Sequence, residues 1–551
     1  IMNRESATYF SQLPEIHINR SKIIKDHSLR TTWNVGDLVP CYIDSVDPGT
    51  SISMKMSSVM RTQTPLFPTM DTLYTDILFF AIPYRLVWAH FKQFWGETDN
   101  PWIPTVEYEI PQITTDSTNK FDAKSLADYM GLPVGIPNLS VSALPFRAYV
   151  RVWNDWFRST VVDSEAPNST NDNNYSYNNQ QTYRGGKLLK VNKMHDLFSS
   201  CLPEPQRGPT VTIPLGEWAP VYPRTQAIDT TLPGFTGKEL QWASAAATPA
   251  LGVGAHSLNA YVYPTGTIKT QADGATSTMT NSEEVYPSNL WTDLSQASAA
   301  TVGALRSALA LQHYFEQIGR YGNRYREQLR GIWGVEPSDK TLQITEYLGG
   351  VRIPHSMQTV VQTSSTDATS PQGNTAAFSH TVSSDEIFTK SFEEHTIILG
   401  VLCTRYRHSY SQGIPAMWSK KKFTDFWIPQ FEGISEVPVY NKEIYATGTS
   451  TDDEVFGYQE YGYPERYGYG NIVTSEMRPT YAQSLDAWHF GDYYTSQPAL
   501  SAAWMKEDKA NVDRSLAVTS AVSDQLFGDF YFHPTYVLPM PIYSIPGMDK
   551  V

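Results

Sequence analysis

The hydrophobic pattern of the chain centres on residues 64–95, TPLFPTMDTLYTDILFFAIPYRLVWAHFKQFW. Pro65 and Pro68 hold the start of this stretch extended, and residues 77–82 (ILFFAI) form an unbroken apolar run of strand length. A strand without polar alternation is one covered on both faces, so Ile77, Leu78, Phe79 and Phe80 are expected in the core of a central strand. Pro83 ends that ladder. Leu86, Val87, His90, Phe91, Phe94 and Trp95 then recur at helical spacing with Gly96 placed as a C-cap, which predicts one helix over residues 84–95. A second run, TIILGVLC at 396–403 with Ile397, Ile398 and Leu399, predicts the mate of the first strand. Between residues 39 and 56, Val39, Cys41 and Ile43 alternate, Asp47-Pro48-Gly49-Thr50 fits a type II turn, and Ile52, Met54 and Met56 alternate again, which predicts an antiparallel hairpin with one buried face.

The flanking sequence is less regular. Residues 1–35 read as an N-terminal arm, with Arg4, Arg20, Lys22, Lys25 and Arg30 scattered among apolar positions, lying either against another molecule or on its own domain. Short helices are expected over 122–130, closed by Gly131, and over 145–159, where Tyr149, Val150, Trp153, Trp156 and Phe157 share a side. Residues 164–186 are rich in Asn, Gln and Ser and read as an exposed loop. Residues 221–300, small, weakly apolar and without strong helical or strand pattern, read as a surface insertion. Val302, Leu305, Leu309 and Phe315 then mark an amphipathic helix leading into the basic segment of Arg320, Arg324, Arg326 and Arg330. Residues 456–470 interleave Tyr with Gly and Pro as a packed loop or subunit contact, and residues 530–551 read as an extended C-terminal tail. Strands at both ends with large excursions between them fit a mainly β chain, an antiparallel sandwich whose loops have grown.

Composition narrows the function. Aromatic residues make up 13% of the chain and charged residues only 18%, a balance that suits cores and interfaces. The formal charge of -14 argues against a surface that grips nucleic acid all over. Cys41, Cys201 and Cys403 are far apart and read as reduced, buried thiols. No signal peptide and no apolar run long enough to span a membrane is found. Phosphate-binding loops, HExxH, GxSxG and CxxC are absent, so no enzyme class is indicated. Asp452, Asp453 and Glu454 read as a solvated turn, and His195, His395 and His489 as structural histidines. Two segments combine cations with rings as single-strand binders do: Trp418 with Lys420, Lys421 and Lys422, and Arg324 and Arg326 beside Tyr321 and Tyr325.

A set of phrases then carries a resemblance. HINRS, TTWNVGDLVP, RTQTPLFPTMD, FFAIPYRLVW, LPFRAYVRVWNDWFR, LLKVNKMHDLFSSCLPEPQRGP, FTKSFEEHTIILG, QGIPAMWSKK, YAQSLDAWHF and PMPIYSIPG run in order through residues 17–547. Together they resemble the major capsid protein of gokushovirus-like microviruses, phages with single-stranded DNA. The resemblance implies an eight-stranded antiparallel jelly roll with large insertions and short helices, filling residues 1–551 as one capsid domain, and about sixty copies in an icosahedral shell. It makes residues 76–82 an early barrel strand and residues 83–95 the start of an inter-strand excursion. It implies no cofactor and leaves open a divalent ion at a symmetry axis. Its partners are further copies of the chain, the circular single-stranded DNA genome, a small basic DNA-binding or packaging protein, pilot or scaffolding proteins, and a host surface receptor; its place is the virion, assembled in the bacterial cytoplasm. Residues 221–300 fall where the family carries a threefold protrusion thought to engage the host, with Leu240, Trp242, Leu251, Val253, Leu258, Tyr261 and Tyr263 as candidate attachment residues. The phrase YQEYGYPERYGYG at 458–470 departs from the family's more basic wording. Two other readings compete: an adhesin that forms no shell itself, and a β-sandwich glycosidase, for which no facing pair of carboxylates is evident.

Overall fold

The computed structural model describes residues 19–97, 107–212, 302–366, 371–469 and 471–543, together with the backbone of short strands between 221 and 292. The chain divides into two compact units, Ile1–Arg207 with Glu316–Val551, and Gly208–Phe315.

In the larger unit nine strands define the frame: β1 (Ser21–Ile24), β2 (His27–Trp33), β3 (Val39–Val46), β4 (Ser51–Thr62), β5 (Tyr74–Pro83), β6 (Glu346–Pro354), β7 (Thr381–Ser391), β8 (Thr396–Arg405) and β9 (Leu526–Leu538). One antiparallel sheet runs β1-β9-β4-β7, with β2 also on β9; the other runs β6-β5-β8-β3. The expected pairing of the two apolar runs is present, from Thr396↔Pro83 to Arg405↔Tyr74.

The lack of polar alternation in β5 has a direct cause. Ile77, Phe79 and Ala81 face a core shared with Ile52, Met54, Met56, Phe530 and Phe532 of the opposite sheet. Phe80 and Ile82 face a second core, built on the helix α1 (Leu144–Val152), and Leu78 is half-buried at its edge. In β8, Ile398 and Leu402 join the first core while Ile397, Leu399, Val401 and Cys403 join the second. Each such side chain contributes about 1.5–3 kcal/mol of burial, so a pair of strands loaded on both faces holds three layers together.

Several expectations need correction. The turn at 47–50 forms, with Gly49 at φ 81 and the Thr50 N–H donating to the Asp47 carbonyl at 3.3 Å. It does not close a hairpin, because β3 pairs with β8 and β4 lies between β9 and β7, so the turn carries the chain from one sheet to the other. Alternation marks which side of a strand faces inward, and strands of opposite sheets facing one core share that pattern. The helix expected over 84–95 is two single turns, Tyr84–Val87 and Phe91–Phe94. Trp88 between them is extended and fully buried, its Nε1 donating to Asp172 Oδ1 at 2.6 Å. The helix over 122–130 is one turn, Leu126–Tyr129, capped by Ser125, and the next helix ends in a wider π turn, Trp153–Phe157. The polar stretch 164–186 is no free loop: Tyr177 and Thr182 are buried, and Asn168 Nδ2 donates to the Arg147 carbonyl at 3.0 Å.

The expected arm is sheet from residue 21 on: β1 and β2 pair along β9 of the same chain, and residues 1–18 lie outside the described residues. The expected tail likewise begins inside β9, whose Phe530, Phe532 and Tyr536 are core residues. The insertion, expected to lack strand pattern, contains antiparallel ladders: Trp242–Ser244 with Val285–Pro287, Asn259–Val262 with Ile268–Ala272, and Val221–Pro223 with Leu290–Thr292. The expected amphipathic helix after it is present, spanning Val302–Tyr321. Cys41, Cys201 and Cys403 are free and buried, as expected.

One carboxylate clamps three of the core strands. Asp76 of β5, its side chain 5% exposed, accepts from Arg352 Nε of β6 at 2.5 Å and from Arg405 Nη2 of β8 at 2.6 Å. Burial alone would raise its pKa; the two arginines more than reverse this and hold it below the usual value of 3.8. Removing the anion strands the half-buried Arg405, so Asp76→Ala should cost about 3 kcal/mol, at the low end for a broken buried pair because Arg352 keeps much of its water contact. Urea unfolding at pH 7 measures this. The contribution is present at neutral pH and lost only as pH falls below the ordinary carboxylate range, so wild type and variant should converge in acid.

Candidate functional site

Outside the cores, the loop 414–434 holds a concentrated apolar surface, and the helix Val302–Tyr321 also exposes Val302, Leu305, Leu309 and Leu311. Pro415 starts the helical turn Ala416–Ser419, and the Asp425 carboxylate accepts the backbone N–H groups of Lys421 at 2.7 Å and Lys422 at 2.8 Å, which fixes the reversal that follows. The outcome is a loop held by its backbone with its rings turned out: Trp418 is 73% and Phe423 76% exposed, and Met417, Phe426, Trp427, Ile414 and Ile434 are exposed around them. Such a cluster is far larger than the scattered single hydrophobics of an ordinary surface.

The cations expected to bind nucleic acid separate into two kinds. Lys420 is half spent, with Nζ 2.8 Å from Glu465 Oε1 and 4.9 Å from the centre of the Phe426 ring, while Lys421 and Lys422 are exposed beside the rings. Arg324 instead donates to the carbonyls of Asn154 at 3.1 Å and Arg158 at 2.8 Å, and pairs with Glu327. Arg326 pairs with Asp339 at 2.8 Å and lies over Trp156. Both arginines fasten the helix α2 (Tyr325–Trp333) to the end of α1. The sequence shows their charge but not these carbonyl and carboxylate partners, which come from distant segments.

A cavity of about 570 Å³ opens over the outer face of β5, with rings of Phe80, Trp156 and Tyr347 and cations of Arg158, Arg324 and Arg405 in its wall. The Nε atoms of Arg158 and Arg405 are buried there without a hydrogen-bond partner. His195 also lines it. Of the insertion residues, Trp242 and Tyr261 lie on described strands, whereas Leu240, Leu251, Val253, Leu258 and Tyr263 lie outside the described residues.

The strongest polar cluster is one that sequence reading missed. His408 is fully buried between two carboxylates, with Nδ1 2.9 Å from Asp492 Oδ1 and Nε2 3.1 Å from Glu507 Oε1. The second contact is a charge contact without aligned hydrogen-bond geometry. Lys193 Nζ lies 3.4 Å from the other Asp492 oxygen, so two cations meet two anions. Nothing in spacing could signal a group whose members stand 84 and 299 positions apart. His489 behaves as a structural histidine: Nδ1 accepts the Gly491 N–H at 2.9 Å and Nε2 meets the Met477 carbonyl at 2.8 Å. His395 stacks on Trp95, and Asp452 caps Thr447 and Gly448 in a plain turn.

Among the described residues no group of three or more His, Cys, Asp or Glu is placed to hold a metal, and no helix is long and apolar enough to cross a membrane. Antiparallel sheets locked by internal ion pairs, with an apolar surface held outward, make this a mainly β protein. The phage F capsid protein family matches residues 11–548, and the chain belongs to that family. It is similar to the capsid protein VP1 of Spiroplasma virus 4, 39% identical over 556 residues and 98% of each chain. It is also similar to that of Bdellovibrio phage phiMH2K, 37% identical over 99% of this chain and 98% of the other, and to that of Chlamydia phage 1, 32% identical over 98% of each. The ordered phrases in the sequence thus named the family correctly.

The His408 cluster has a pH signature. Burial pushes His408 down, but Asp492 and Glu507 outweigh it and raise its pKa from 6.5 to about 10. A group whose folded pKa lies above its unfolded one stabilises fully below the unfolded value and loses that contribution as pH rises toward the folded one. The urea midpoint should therefore fall between pH 7 and pH 10, and His408→Gln should be less stable at pH 7 with a flatter profile over that interval.

Proposed function

We propose that this chain is the major capsid subunit of a small phage, assembling through contacts between its own copies into an icosahedral shell around a circular single-stranded DNA genome. The observation that carries the reading is the outward aromatic loop at 414–434 on a sandwich that already closes its own cores. Trp418, Phe423 and their neighbours gain burial only from another molecule, and the Ile and Met content of the patch suits a protein surface better than a stack of bases. For this loop, a contact between copies replaces the nucleic-acid reading of Trp418 and Lys420–Lys422.

The strand order supports an eight-stranded jelly roll: β2, β9, β4 and β7 stand against β3, β8, β5 and β6, with most connections crossing between the sheets. In this reading residues 1–551 form one capsid domain and residues 221–300 its protrusion for host attachment. The cavity over β5, with Trp156, Tyr347 and Arg158 in its wall, is the place this reading assigns to genome contact. With a net charge of -14, most genome neutralisation falls to counterions or a separate basic protein. Assembly in the bacterial cytoplasm into the virion follows from the same reading.

Purified chain should form uniform shells visible by negative stain and sedimentation; a persistent monomer across salt and pH refutes the proposal. Trp418→Ala with Phe423→Ala should leave thermal unfolding within about 0.5 kcal/mol of wild type, as for other exposed sites, while abolishing shells. Deleting residues 240–266 should preserve assembly and remove adsorption to host cells, and an unchanged adsorption rate excludes the attachment role.

A further inference from the structure

We propose that Lys506 and Asn192 become joined by an intramolecular isopeptide bond, with Asp163 as the acid–base group that assists its formation. Residues 191–193 and 505–507 run antiparallel as a short ladder: Asn192 bridges Lys506, the Lys193 N–H donates to the Met505 carbonyl at 2.9 Å, and the Glu507 N–H donates to the Val191 carbonyl at 3.0 Å. That ladder fixes both backbones and points an amine at an amide. Lys506 Nζ lies 2.8 Å from Asn192 Oδ1 and 2.6 Å from Asp163 Oδ2. Nucleophile, electrophile and carboxyl therefore converge on one nitrogen.

The surroundings favour reaction over a plain ion pair. The Asp163 side chain is 4% exposed and that of Lys506 20%, and the Trp153 ring lies 4.8 Å from Nζ. The Ser159 N–H holds Asp163 Oδ2 at 3.0 Å, and Asn192 Nδ2 donates to the Phe157 carbonyl at 3.2 Å, so neither the acid nor the amide rotates freely. Burial lowers the pKa of Lys506 despite the attraction of Asp163, which eases loss of its proton. Holding reactants in this way supplies the kind of effective concentration that makes a slow amide exchange proceed within a folded chain.

The step balances without a co-reactant. Nζ passes a proton to Asp163, leaving a neutral amine beside a carboxylic acid. The amine lone pair attacks Asn192 Cγ, forming the new C–N bond. Asp163 returns its proton to the amide nitrogen and takes the second Nζ proton as the Cγ–Nδ2 bond breaks. Ammonia leaves, accepting that last proton to depart as ammonium, and Asp163 is again a carboxylate. The product ties together positions 314 residues apart, linking the segment after α1 to the stretch that leads into β9.

Intact-mass measurement on the denatured full-length chain tests this. The expected mass is lower than the sequence mass by one ammonia, and proteolysis should release a branched peptide carrying Asn192 and Lys506. Asn192→Asp should lose one water instead, while Lys506→Arg should show its full mass. Asp163→Ala should also remain uncrosslinked; a branched peptide in that variant overturns the role of Asp163. Wild-type protein at its full sequence mass, or one that has lost ammonia without the branched peptide, overturns the proposal, and neither result depends on any variant folding.

Discussion

Burial of β5 on both faces is the constraint from which the larger unit is organised. A strand with one wet face needs a single partner layer; Phe79 and Phe80 point in opposite directions and are both buried, so β5 requires the opposite sheet on one side and α1 on the other. Its hydrogen-bonding edges are likewise both taken, by β6 and β8. Asp76 sits where those demands meet. An anion inside such a strand is tolerable only because each neighbouring strand brings an arginine, and the same two arginines fix the register of both neighbours. Apolar burial sets the layers, and one charge cluster selects the alignment within a layer.

How much of this was legible follows from the range over which each signal acts. β5 and β8 were readable because unbroken apolar runs have one meaning at strand length, and the turn at 47–50 because Pro and Gly dictate its dihedrals locally. The sheet to which β3 and β4 belong was not readable, since alternation records only which face turns inward. The break at Trp88 was hidden for a similar reason: helical spacing is a statement about residues 84–95, whereas the cause is a hydrogen bond to Asp172. Which of the two readings of the arm holds, and how much of the tail is strand, was not readable because β1, β2 and β9 each look weak alone and β1 and β2 find their partner some 500 positions away.

The candidate surface shows the same division. Trp418, Lys421 and Lys422 were singled out as rings beside cations, and they are exposed together. Arg324 and Arg326 carried an identical signature yet serve the chain's own carbonyls and carboxylates. Charge in a sequence is a capacity, and only the fold shows whether it is already spent. His408, Asp492, Glu507 and Lys193 are the converse: each is unremarkable in its own segment, and the group exists only after four distant pieces of chain are packed.

These two classes of feature suit a subunit that must be finished before it associates. The polar clusters join segments from across the sequence, Asp163 with Lys506 and Lys193 with Asp492 among them, so a chain with residues 492–507 unplaced lacks much of its internal pairing. The apolar loop, by contrast, is built from local turns and stands ready once its own backbone caps form. A net charge of -14 then works against premature contact, because copies repel over roughly 10 Å at 0.1 M salt and only a patch large enough to bury several rings at once overcomes that repulsion. On the proposed reading, specificity of association comes from opposing a diffuse repulsion with a concentrated apolar attraction, and ionic strength sets the balance between them.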